Sequence, residues 1–345
     1  MPDEIAAPPT GRGRNWRRLL GGAATVIVVA AVFLFILPRI ADYRDVWDVL
    51  LDVGWAEAAL LLGATVLNLV TFAPPWMVAL PGLGFRPAFM LSQASTALSM
   101  VAPAGAAVGM AGSYGLLRSW GFGSGAVALA VALTGVWNQL ANLTFPIVGL
   151  ALLSGVDQDH PALTTAAFIG IGVLVVVMAV FVLALSSPRR ARAIGGLAAR
   201  GATRVKGWFR RKPVKWNGES LARFRRGALG LLRRRWHVLT LATLVGHLTV
   251  FLLLLVCLRV VGVSESEISW IQAFAAWSLV RILGALPITP GGVGIVEVGL
   301  SGALVAFGAS NADAVAATLL YRALTVLPTL GLGMLAAATW RRHRP

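Results

Sequence analysis

Three ionisable residues lie deep in apolar sequence: Arg281, Glu297 and Arg322. Two guanidinium groups against one carboxylate leave a net positive set, and a guanidinium can grip a phosphate through paired N–H groups. Glu297 comes seven residues after Pro290 and Arg281 nine before it, so the two arms of one hairpin can bring them together. Arg322 lies about ten residues into a later apolar run. Ionised groups at membrane depth cost several kcal/mol unless paired or hydrated, which makes function the default reading of such residues. Two readings stand: a salt bridge that holds the hairpin, or a phosphate site. Asn138, Gln139 and Asn142 form a second polar set, with Asn138 and Asn142 on one helical face. Membrane helices use such amides for interhelical hydrogen bonds.

The segment between Arg281 and Glu297 reads Pro287-Ile-Thr-Pro290-Gly291-Gly292-Val-Gly294. A helix starting after Pro290 is predicted, with the proline suited to its first turn and free N–H groups suited to an anion. Gly291, Gly292 and Gly294 are therefore counted with the site. They are not a nucleotide loop, because the strand and the Lys-Ser/Thr that such loops need are absent. His160, His237 and His343 have no metal-ligand spacing. His247 reads as a packing or hydrogen-bonding residue, and Asn68 and Gln93 as weaker polar cases. The one cysteine, Cys257, gives neither a disulfide framework nor a metal cluster. No cofactor is implied.

These residues must be positioned by membrane helices. Of 345 residues 57% are hydrophobic and 13% charged, where globular proteins carry roughly 25% charged. Six stretches are long enough to cross a bilayer: 19–37, 55–80, 125–150, 162–185, 236–261 and 312–338. Pro74-Pro75 interrupts the second, and Pro146 and Pro328 lie late in the third and sixth. Two further apolar stretches break in the middle: 88–118 at Ala102-Pro-Ala-Gly105, and 270–307 at Pro287–Gly292. At 1.5 Å per residue, an arm of about 15 residues reaches about 22 Å, short of the roughly 30 Å hydrocarbon core. Both read as re-entrant hairpins, although a tilted full helical pair remains open for the second.

The net charge of +16 is a topology label rather than a nucleic-acid signature. A single orientation places every basic residue in the cytoplasm except Arg39, Arg44, Arg259, Arg281 and Arg322. Both termini are then cytoplasmic, in a plasma membrane. The 186–235 loop holds 16 basic residues and one acid, Glu219. Its end, 216–236, reads as an interfacial helix lying on anionic lipid headgroups at the cytoplasmic face. With no recognition motif beside the charge, no nucleic acid is expected as a partner.

The chain also resembles itself. Pro103–Gly109, Trp120-Gly121 and Phe145-Pro146-Ile-Val-Gly149 have counterparts in Pro290–Gly294, Phe307-Gly308 and Leu327-Pro328-Thr-Leu-Gly331. Each copy is a broken hairpin, a glycine turn and a long helix with a late proline, and the charge assignment makes the copies an inverted repeat, a transporter design. The expected fold is an all-α integral membrane protein of about six transmembrane helices plus two re-entrant hairpins. Its parts are a basic cytoplasmic N-terminus (1–18), a first membrane half (19–185), the basic loop (186–235), a second half (236–338) and a cytoplasmic tail (339–345).

Arg281-Ile-Leu-Gly-Ala-Leu-Pro-Ile-Thr-Pro-Gly-Gly-Val-Gly-Ile-Val-Glu297, followed by Leu319-Leu-Tyr-Arg322, resembles the lysylphosphatidylglycerol synthase transmembrane region. This is the flippase-like part of multiple-peptide-resistance factors and their stand-alone relatives. Its Gly-Gly-x-Gly-x-x-Glu turn and downstream Leu-x-x-Arg fall on Gly291, Gly292, Gly294, Glu297 and Arg322. The resemblance implies translocation of aminoacylated or glycosylated lipids along a path lined by the hairpins. The first half departs from the family: Asn138, Gln139 and Asn142 stand where an acid–arginine set is common. The aminoacyl-transferase half is absent from the sequence, so the protein is not expected to make lysyl lipid itself. The expected partners are membrane lipids, with a second copy of this chain or a separate lipid-modifying enzyme as the protein partner. The competing expectation is an enzyme acting on lipid-linked sugars through Asp42, Asp45 or Asp48 of the first outer loop, whose pattern also fits an amphipathic surface helix. A membrane partner protein whose charges only hold its helices together is the third.

Overall fold

The computed structural model describes residues 51–102, 105–156, 161–187, 218–285 and 289–339, with isolated positions in 44–48 and 189–203. The first expected span, both termini, Asp42, Asp45 and His160 lie outside the described residues, as do Pro103 and Pro287. The described residues form helices α1 (Trp55–Thr71), α2 (Pro74–Ala79), α3 (Phe85–Val101), α4 (Gly105–Ser119) and α5 (Ser124–Val156). They continue as α6 (Pro161–Ser186), α7 (Gly218–Val260), α8 (Trp270–Ala285), a 3-10 turn at Pro290–Gly292, α9 (Ile295–Phe307) and α10 (Asn311–Thr339).

Proline and glycine set these boundaries. Pro74 and Pro75 lack the N–H groups that would bond to the carbonyls of Val70 and Thr71, so α1 stops and α2 restarts with Pro74 in its first turn. Pro146 and Pro328, by contrast, stay inside α5 and α10. Each releases the carbonyl four residues earlier, those of Asn142 and Leu324. Trp55–Ala79, Ser124–Gly155, Arg225–Val260 and Asn311–Ala336 are long and apolar enough to cross a membrane. The outward faces agree: Phe168 of α6 is 69% exposed and Met334 of α10 equally so, which is costly in water and favourable in lipid.

α7 corrects one expectation. The basic end of the 186–235 loop is not a separate helix lying on the surface. It is the first part of one helix of 43 residues that runs on into the membrane segment. Ala228, Leu232 and Leu239 are buried against Leu133, Leu129 and Trp137, so the apolar stripe continues across the join at helical spacing. Arg226, Arg233, Arg234 and Arg235 remain exposed.

The two halves share an element order: hairpin α3–α4, a turn at Gly121 (φ 94°) and the long α5; then hairpin α8–α9, a turn at Gly308 (φ 119°) and the long α10. Packing is reciprocal, since α3 lies along α10 while α8 lies along α5. Glycine permits both approaches. A Cβ on Gly149 of α5 would lie 3.2 Å from Ala275 Cα of α8, and one on Gly333 of α10 only 2.3 Å from Ala97 Cβ of α3. The Gly105-x-x-x-Gly109 pair packs the first hairpin in the same way, facing Ser99. The hairpin tips also meet, because a Cβ on Gly291 would stand 3.3 Å from the Met100 carbonyl oxygen. Gly333→Ala is expected to push α3 and α10 apart at a cost of about 1–3 kcal/mol, the usual range for overpacking. A lower thermal midpoint in detergent checks this, and an unchanged midpoint contradicts it.

Candidate functional site

The second hairpin turns through glycines that no other residue replaces without strain. Gly291, Gly292 and Gly294 have φ of 62°, 68° and 87°, in the left-handed region. That run corrects the predicted helix start. Helix α9 begins at Ile295, with Gly294 as its N-cap, and Pro290 opens only a short 3-10 turn. The helix start also has an anion of its own. Glu297 reaches back to accept the Gly294 N–H at 2.6 Å through Oε2, a favourable place for a carboxylate.

Its other oxygen, Oε1, accepts from Arg322 Nε at 2.7 Å. Arg322 also donates through Nη2 to the Gly291 carbonyl at 3.0 Å, tying α10 to the hairpin tip. Glu297 is only 3% exposed, and both its oxygens are occupied. The carboxylate thus closes a pair with Arg322 and not with the arginine of its own hairpin.

Arg281 points to the other half of the chain. Its Nη2 donates to Asn142 Oδ1 at 2.7 Å and contacts His247 Nδ1 at 2.8 Å. A guanidinium can only donate, so His247 Nδ1 accepts and the ring proton sits on Nε2. That proton meets Asn138 Oδ1 at 3.1 Å. Asn142 Nδ2 in turn donates to Gln139 Oε1 at 3.3 Å, and Gln139 is exposed. Trp277 lies under the guanidinium at 4.8 Å, in cation–π range. Arg281 Nε is buried with no partner. Among the described residues no carboxylate pairs with Arg281, whose partners are neutral amides and a neutral imidazole.

Arg281, Arg322, Gly291 and Asn142 line a cavity of about 270 Å³ together with Trp277 and Tyr321. The Glu297–Arg322 pair is neutral there, and Arg281 supplies one positive charge that no described carboxylate counters. All the sequence-predicted site residues thus lie at or beside this centre: Pro290, Gly292 and Gly294 shape its turn, while Asn138 and Gln139 orient its hydrogen-bonded network. His247, Tyr321 and Trp277 complete it without having been read as site residues. His247 does hydrogen-bond, as expected, but its partner is the site's own arginine. Being the one basic residue between His237 and Arg259 is the signal that could place it there. Of the outer acids, Asp48 and Asp52 are exposed and far along the chain from these helices.

An all-helical protein with membrane-length apolar helices, two broken hairpins and an ionisable centre is a polytopic membrane protein. Residues 22–333 match the model of the lysylphosphatidylglycerol synthase transmembrane region, and the chain belongs to that family. No curated protein matches it.

Proposed function

We propose that the protein is a lipid translocase: it moves a phospholipid or lipid-linked headgroup across the bacterial plasma membrane, the phosphate passing Arg281. The observation that carries this reading is a part-buried arginine that faces a cavity and has no acid partner among the described residues. An uncompensated cation at membrane depth is costly, and a phosphodiester is the anion a bilayer supplies in quantity. A guanidinium held by Asn142 and His247 is already oriented for it.

The family assignment supports a lipid-related role, and the hairpins supply the path. With arms of 17, 15, 16 and 13 residues, each helix reaches about 20–25 Å, less than the roughly 30 Å core. Hairpins entering from opposite faces would meet at their tips near mid-depth, a reading that the contact between Met100 and Gly291 supports. The basic residues orient the N- and C-termini and the 186–235 loop toward the cytoplasm. Broken backbone at that depth is tolerated where it lines a wet cavity. The protein carries lipid rather than modifying it.

Leaflet-resolved lipid analysis of cells with and without the protein tests the role. A shift in the transbilayer distribution of an anionic phospholipid is expected, and an unchanged distribution of every lipid class contradicts it.

A further inference from the structure

A second cavity, of about 180 Å³, lies on the other side of Arg322. Tyr321 and Arg322 line both cavities, so a molecule bound at Arg281 has a second chamber next to it. We infer that this chamber is a headgroup subsite that selects an uncharged, hydroxylated headgroup, a glycerol or a sugar-like polyol. The inference rests on the lipid-translocation reading.

The walls of the chamber hold unmet acceptors beside the unspent hydroxyls of Ser92 and Thr96, a lining that suits a group able both to donate and to accept. Asn68 and Gln93 are buried. Asn68 Nδ2 donates to Thr249 Oγ1 at 3.4 Å, and Gln93 Nε2 to the Leu69 carbonyl at 3.1 Å. Among the described residues no donor reaches Asn68 Oδ1 or Gln93 Oε1. Thr325 and Thr329 spend their hydroxyl protons on the carbonyls of Tyr321 and Thr325, each at 2.9 Å. Their oxygens are left to accept. Thr96, exposed at the wall, makes no hydrogen bond among the described residues.

Such a surface asks for hydroxyl or ammonium donors, and charge decides between them. Among the described residues no acid lines the chamber, and Arg322 is the charged group in its wall. A phosphate on Arg281 makes the centre neutral. An added ammonium would restore one uncompensated positive charge at membrane depth, where charge costs several kcal/mol. A hydroxyl satisfies the same oxygens without that cost. The chamber therefore accepts a polyol and rejects a cationic, aminoacylated headgroup.

The test is competitive lipid capture by the purified full chain in detergent. It uses an equimolar mixture of phosphatidylglycerol, phosphatidylinositol, phosphatidic acid and lysyl-phosphatidylglycerol with matched acyl chains, and the retained lipid is quantified by mass spectrometry. The two polyol lipids are expected at roughly five- to tenfold over the other two, the effect of one or two net hydrogen bonds. Asn68→Leu and Thr96→Val should each erase the preference for phosphatidylglycerol over phosphatidic acid and leave phosphatidic acid retention unchanged. Thr96→Val guards against misfolding, since Thr96 holds no structural bond. Equal retention of phosphatidic acid, equal retention of the lysyl lipid, or an intact preference in Thr96→Val and a folded Asn68→Leu overturns the subsite. If the preference holds but reconstituted protein moves no lipid, translocation falls and the headgroup subsite stands.

Discussion

Arg281→Gln is expected to lower translocation of an anionic phospholipid about a hundredfold while leaving the protein as stable as the wild type or more so. The two halves of this result come from one fact. The guanidinium hydrogen-bonds to Asn142 and His247 and stacks on Trp277, but among the described residues no carboxylate neutralises it. Its charge is therefore a burden to the empty protein, and removing an uncompensated buried charge relieves that burden. The transported phosphate loses the cation that, among the described residues, faces the cavity without a carboxylate, and a lost charged hydrogen-bond partner in a buried site costs about 2–5 kcal/mol. Arg281→Lys should recover part of the rate, because it restores the point charge without the planar fork. Transport assays and thermal unfolding on the same preparations check both halves. A destabilised Arg281→Gln that still moves lipid would make Arg281 a structural residue.

Glu297→Gln is expected to do the opposite and unfold the protein at lower temperature. Glutamine keeps an oxygen for the Gly294 N–H but leaves the part-buried Arg322 without its counter-charge, a loss approaching that of a broken buried pair, about 3–5 kcal/mol. Arg322→Gln should cost less on its own ground, since a carboxylate at the start of α9 still caps that helix. The double substitution Glu297→Gln with Arg322→Gln should be more stable than Glu297→Gln alone, and this is the signature of a coupled pair. Thermal midpoints of the three variants in one detergent measure it. Additive losses would show that the two side chains act independently.

Much of the architecture was legible because breaks in a membrane helix have few causes. Pro74-Pro75, the glycine run at 291–294 and the glycine turns at 121 and 308 all end or redirect helices where the sequence reading placed them. Pro146 and Pro328 matched each other in the two copies, and they occupy matching places inside α5 and α10. The three charged residues stood out because charge is scarce in apolar sequence.

The pairing among those residues was not legible. Spacing within the hairpin favours Arg281 with Glu297, but partner choice depends on which long helix each arm packs against. Reciprocal packing sends α8 to α5, so Arg281 meets Asn142, while α9 meets Arg322 of α10. The helix expected to start after Pro290 starts at Ile295 because three positive φ angles intervene. Proline at a first turn is a local signal, and the conformations of the following glycines override it. The length of α7 escaped for a different reason. A stripe of apolar residues among arginines has the same pattern on a lipid surface as on a helix packed against Leu129 and Leu133.

The central claim is that Arg281 carries a lipid phosphate across the membrane. Its most direct measurement uses vesicles reconstituted with the full chain and a phosphatidylglycerol labelled on an acyl chain, with a membrane-impermeant quencher added outside. Wild-type vesicles are predicted to lose the label of both leaflets, while Arg281→Gln vesicles and empty vesicles lose that of the outer leaflet alone. Equal loss from wild-type and Arg281→Gln vesicles, or from wild-type and empty ones, would contradict the claim.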